Sequence, residues 1–186
     1  MCLGGRMIFK HGLNFNLLIS LIEQTHKQFQ QQAIKAVNIA LTIRNWLVGY
    51  YIVEFEQKGE DRAEYGSKLL SKLAESSKHI KGFDERSFRN FRLFYKQYPQ
   101  IQRHILSHFP NLSIWGSVTP KFDTHTDLVP VEKILSHLSY THLENLFTIK
   151  DPLKRAFYEI ESIKGTWSVR ELKRQINSLY YERMAI

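Results

Sequence analysis

Cysteine is almost missing from this chain, Cys2 standing alone among 186 residues. A disulfide scaffold within the chain is thereby excluded. So is a structural zinc site built on four cysteines, or on two cysteines and two histidines. Glycine and proline are sparse, at 9 and 5 residues, which excludes a collagen-like or linker-type chain. No apolar run reaches the ~18 residues of a membrane-spanning helix. The stretch Leu17-Leu18-Ile19-Ser20-Leu21-Ile22 resembles a signal peptide only superficially. It is short, follows Asn14 and Asn16, is broken by Ser20, and leads into Glu23-Gln24 rather than a small-residue cleavage site. A cytoplasmic protein without a membrane partner is expected, with Met7 an alternative start. The remaining shortage is of acid: 26 Lys+Arg face 18 Asp+Glu, a net charge of +8. An excess of that size points toward a polyanionic partner.

The excess is concentrated. Residues 61–110 hold 10 cations and 5 anions, and Lys78 to Arg103 holds seven cations with only Asp84 and Glu85 against them. A local field attracts phosphate, whereas dispersed charge mainly keeps a protein soluble.

The chain reads as mainly α. Residues 1–23 have no defined pattern. Residues 24–57 predict a long helix, with Phe29, Ala33, Val37, Ala40, Arg44, Leu47 and Tyr51 recurring at steps of three and four. Asn45 to Val53 is almost wholly apolar and predicts burial on most sides, with Gly49 marking a kink or a close helix contact. A second helix is expected over 63–77 and a third from the Asp84 cap to Tyr98, with Phe83 and Phe88 at hydrophobic-staple spacing. A short helix over 100–109 completes a first part, 24–109, that contains a helix-turn-helix layout. Residues 110–130, rich in Ser, Thr and Asp with three prolines, predict a loop or a short hairpin serving as a wing. Residues 131–186 predict further helices on the same core. Their start signals are Thr141-x-x-Glu144, Asp151-Pro152 and Ser168-x-x-Glu171. The final helical pattern runs to Ile186 without a stop signal, as in a domain that continues.

The third helix carries the functional signal. At about 100° per residue, Phe88, Phe91, Phe94, Tyr95 and Tyr98 form one stripe, while Arg86, Arg89, Arg92 and Lys96 fall on the other side, about 40° to 160° from Phe88. Asn90 lies beside the cations and would read base edges, as an amide can. Lys78 and Lys81 flank them and would meet backbone phosphates. A solvated basic face is the plainer alternative. A second basic face, Arg170, Lys173 and Arg174, lies opposite Val169, Leu172 and Ile176 on the last helix.

Signals for catalysis are weak. His104 and His108 stand at i, i+4 but lack the Glu of HExxH and a third ligand, so neither a metal nor another cofactor is expected. Glu56-Gln57-Lys58 and Glu171-Leu172-Lys173 match the (Asp/Glu)-x-Lys half of a metal-dependent nuclease centre, yet both fall on predicted helices instead of strands.

Several longer motifs are distinctive. They are residues 36–54 (AVNIALTIRNWLVGYYIVE), 59–66 (GEDRAEYG), 88–95 (FRNFRLFY), 151–159 (DPLKRAFYE) and 167–176 (WSVRELKRQI). Together they resemble the N-terminal domain of the bacterial YhcG family, over about residues 24–184. The resemblance implies a winged-helix-like DNA-binding domain that precedes a PD-(D/E)xK nuclease domain. Since the chain stops about where that second domain would begin, the chain itself is expected not to be an enzyme. It would bind DNA and position a nuclease domain, in cis or in trans. The alternative is a protein-interaction or homodimerisation module without direct DNA contact, built on the 24–57 helix and its Trp46, Tyr50 and Tyr51 cluster.

Overall fold

The computed structural model describes residues 14–58, 68–108 and 128–184. All regular structure among them is helical: α1 (Phe15–Lys58), α2 (Leu69–Ser76), α3 (Glu85–Gln97), α4 (Ile101–His108), α5 (Val131–His137), α6 (Tyr140–Leu146), α7 (Pro152–Lys164), α8 (Val169–Asn177) and α9 (Tyr180–Met184). The expected loop or wing at 110–130 falls almost entirely outside the described residues, as does the start of the helix expected at 63. The chain divides into two units, Met1–Val37 and Asn38–Ile186.

In the first unit the described residues form the leading part of α1, which begins at Phe15 rather than at Gln24. Asn14 starts it, its side-chain oxygen accepting from the Leu17 N–H at 2.8 Å. The residues whose recurrence predicts the helix are exposed here, Phe29 at 63% and Val37 at 56%.

In the second unit, α1 turns Ile43, Trp46, Leu47, Tyr50 and Val53 into the core, as the apolar run from Asn45 to Val53 predicts. Arg44 and Tyr51, which share the three-and-four recurrence with Leu47, are exposed. Trp46 is fully buried and donates its indole N–H to the Tyr98 carbonyl at 2.8 Å. Its ring stacks on Tyr50 and meets Tyr95 edge-on at 5.1 Å. Trp46 and Tyr50 therefore belong to the core and are not free for a partner. The main cluster gathers these with Phe94, Tyr98, Ile101, Ile105, Ile134, Leu143, Leu146, Phe147, Tyr158 and Leu172. A smaller one joins Ile52, Leu69, Phe88 and Phe91. Gly49 allows the second cluster to close: a Cβ there would lie 2.0 Å from the Phe91 carbonyl oxygen, so α1 and α3 meet at backbone distance.

The expected helix starts hold with one correction. Asp84 caps α3 by accepting from Ser87 N–H at 2.7 Å, and Phe83 meets Phe88 with ring centroids 5.3 Å apart. Asp151 caps α7, with Pro152 in its first turn. Ser168 accepts from Glu171 N–H at 3.2 Å at the start of α8. Before Leu146, however, the cap is Ser139 and not Thr141. The Ser139 N–H donates to Nδ1 of His142 at 3.3 Å, so the box is Ser139/His142. His142 Nε2 is also 3.0 Å from the Trp167 carbonyl, which ties α6 to the start of α8. The last helical stretch is also interrupted: Leu179 takes φ 55°, separating α8 from α9.

Candidate nucleic-acid interface

The two faces of α3 are separated as the periodicity requires. Phe88, Phe91, Phe94 and Tyr98 are each 3% exposed or less. The cations stand on the other side, Arg86, Arg89 and Lys96 exposed and Arg92 half-buried. The aromatic rings are thus consumed by packing and are not platforms for stacking bases. A cleft of about 240 Å³ opens among Arg89, Asn90, Arg92, Leu93 and Lys96.

Carboxylates restrain part of this face. Arg89 Nη2 lies 2.7 Å from Glu85, one turn away. Arg92 Nη1 lies 2.6 Å from Glu56 and so clips α3 to α1. Asn90 donates to Glu144 of α6 at 2.7 Å, and Lys78 pairs with Glu75 at 2.5 Å. The i, i+4 and i, i+3 pairs were legible as spacing in the sequence. Glu56 and Glu144, separated from their partners by 36 and 54 residues, carried no such signal. The side chains of Arg86, Lys81 and Lys96 make no hydrogen bond or ion pair among the described residues, although the Arg86 charge acts on the neighbouring Asp84 carboxyl.

These restraints differ in strength. Arg89 and Glu85 are 58% and 46% exposed, and a pair so open to water is worth about 0.5 kcal/mol, which a phosphate can replace. Arg92 and Asn90 are half-buried cross-links between helices, so their donors serve the fold first. The available set is therefore Arg86, Arg89, Lys81 and Lys96. Asp84 sits at the N-terminus of the same helix, and the Ser87 N–H holds its carboxyl below the usual range. Arg86, in the first turn, adjoins that carboxylate, so the start of α3 carries charge of both signs.

The second basic face is divided in the same way. Arg174 makes a two-pronged contact with Glu171 at 2.7 and 3.0 Å, which draws the Glu171 carboxyl below its usual range. Arg170 and Lys173 are exposed and unpaired among the described residues.

Both (Asp/Glu)-x-Lys motifs start on helices, Glu56 on α1 and Glu171 on α8. Glu56 and Glu171 both lie in ion pairs, and no three His, Cys, Asp or Glu side chains converge among the described residues. His104 and His108 stack at 4.0 Å, with Glu132 3.8 Å from His104 Nδ1. Burial of His104, with His108 beside it, lowers its pKa. No helix among the described residues is long and apolar enough to cross a membrane.

No solved structure matches the chain. A protein of Escherichia coli (strain K12) described as "Putative nuclease YhcG" is 30% identical over 169 residues, 82% of this chain. The chain spans 42% of that relative's length. The relative's description overturns the expectation that the chain stands apart from enzymes. The DUF1016 N-terminal domain family matches residues 21–183, which take in α2 to α8 and most of α1. On that match, with the YhcG relative beside it, the chain belongs to the DUF1016 N-terminal domain family, the N-terminal domain of YhcG-type proteins.

Proposed function

We propose that this domain binds duplex DNA through the exposed cations of α3, in the cytoplasm, and holds it for a nuclease unit that acts in cis or in trans. One observation carries the reading: a single capped helix commits its aromatic face to the core and leaves Arg86, Arg89 and Lys96 in solvent. Lys81, in the turn before α3, extends the row toward a neighbouring phosphate. Arg is suited to two-pronged phosphate contact, and the exposed Arg89–Glu85 pair costs little to exchange. Arg170 and Lys173 supply a second, weaker contact. A helix-turn-helix geometry for α2, the Gly82 turn and α3, with a wing from 110–130, completes the proposal. Gly82 suits that turn, with φ at +85°. The description of the YhcG relative as a nuclease supports a role beside nucleic-acid cleavage.

The test is fluorescence anisotropy with a labelled duplex and a chelator present, so that binding is read without cleavage. The double variant Arg86→Ala/Arg89→Ala is expected to lose affinity by about tenfold or more. Arg92→Ala is expected to lower thermal stability before it lowers affinity. Undiminished binding by Arg86→Ala/Arg89→Ala would remove α3 as the interface.

A further inference from the structure

The first unit carries an apolar seam that its own described residues leave uncovered. Along α1, Ile19, Ile22, His26, Phe29, Ala33 and Ala36 follow one another at alternating steps of three and four, the spacing of heptad a and d positions. All six are exposed, Ile22 at 56% and Phe29 at 63%. From Ser20 onward the opposite side of the helix is polar, with Ser20, Gln24, Lys27, Gln31 and Lys35, and Leu17 precedes them on it. A helix of this pattern normally lays its apolar stripe against another element.

The order of sizes along the seam selects the occupant. Its bulky aliphatic residues come first and its alanines last. A second copy running antiparallel, with His26 facing Phe29, sets Ile22 against Ala33 and Ile19 against Ala36. The two-fold axis repeats each layer. Every aliphatic layer then joins one large and one small side chain, so the helices keep an even separation. Parallel pairing would put Phe29 on Phe29 and Ala33 on Ala33, crowding one layer and emptying the next.

We propose that residues 19–36 of α1 form the seam of an antiparallel homodimer, the partner being a second copy of this chain. With Phe15, Leu18 and Val37 beside the seam, the exposed apolar side chains amount to about 600 Å² per copy, or about 1,200 Å² across the pair, the lower edge of a stable interface. The charges agree. The same alignment sets Glu23 beside Gln30 and Thr25 beside Gln32 of the second copy and leaves Lys27 and Lys35 off the seam, so no like charges oppose each other. The inference rests on the first unit alone and is independent of the DNA-binding reading.

The experiment is sedimentation velocity on the full chain carrying Cys2→Ser, without DNA, at tens of micromolar. The expected mass is twice 22.0 kDa. Ile22→Lys and Phe29→Glu are expected to give monomers that keep the parent's near-ultraviolet circular dichroism, since the core around Trp46 lies in the second unit, while losing the concentration dependence of the parent's melting temperature. Orientation is read by oxidising an equimolar mixture of Ile22→Cys and Ala33→Cys copies in the same background. The mixed disulfide is expected to dominate. A monomeric parent, a dimeric Phe29→Glu, or preferential cross-linking of Ile22→Cys to itself would each overturn the proposal.

Discussion

Glu159 is an acid in the core, 5% exposed, beside the fully buried Tyr98. The Tyr98 hydroxyl donates to it at 2.5 Å, and Arg155 Nε lies 3.8 Å away. Burial raises its pKa, outweighing the Tyr98 hydrogen bond and the Arg155 charge, which both lower it. The folded pKa therefore lies above the unfolded one. The contribution to stability is full below the unfolded value of 4.5 and is lost as pH rises through the folded value. Glu159→Gln keeps an oxygen for Tyr98 and removes the ionisation. Its melting temperature is expected to exceed the parent's at pH 7, with the gap closing as the pH falls to about 4. A variant less stable than the parent at pH 7 would mean that Arg155 holds the carboxylate ionised. The position was readable in part: Glu159 follows Ala156 by one helical step on the buried side of α7, along with Ser162. Its partner Tyr98, 61 residues away, was not.

At the scale of elements, α3 was legible because its start and both its faces are local. The Asp84 cap, the Phe83–Phe88 contact and the four-residue recurrence all act within one or two turns. The α6 start was misplaced because Thr141-x-x-Glu144 fits a capping box as well as Ser139-x-x-His142 does. The choice fell to His142, whose second nitrogen reaches Trp167 in a distant segment. Along α1 the apolar run from Asn45 to Val53 marks the buried half, whereas the recurrence at 29, 33, 37 and 40 falls on residues left exposed. Gly49 shows how closely α1 and α3 are joined. In an open helix, Gly→Ala would stabilise by about 1 kcal/mol. Here the new Cβ would meet Phe91 backbone, which cannot swing aside, so the two helices must separate around Ile52 and Phe91. Gly49→Ala is expected to lose about 2–3 kcal/mol in urea unfolding, with an unchanged slope. A gain in stability would show that α1 and α3 are not in contact there.

At the scale of the whole molecule, the net charge of +8 does not say which cations a nucleic acid would meet. Within the middle of the chain, Lys78, Arg89 and Arg92 each have a carboxylate partner, and two of those partners lie on α2 and α1, outside the helix that displays the arginines. Composition counts all of these cations alike; the fold divides them into cross-links and free ends. This division makes salt dependence a sharper probe than affinity. If Arg86, Arg89, Lys81 and Lys96 each neutralise one phosphate, the logarithm of the binding constant should fall with the logarithm of salt at a slope of about −3.6. In the Arg86→Ala/Arg89→Ala variant the slope should halve to about −1.8. Arg92→Ala should leave it unchanged, because that guanidinium is spent on Glu56. A general attraction to the surplus charge behaves differently: it would respond equally to any of these three arginines. A slope that shifts as much for Arg92 as for Arg86 would therefore assign binding to the net charge and not to the face of α3.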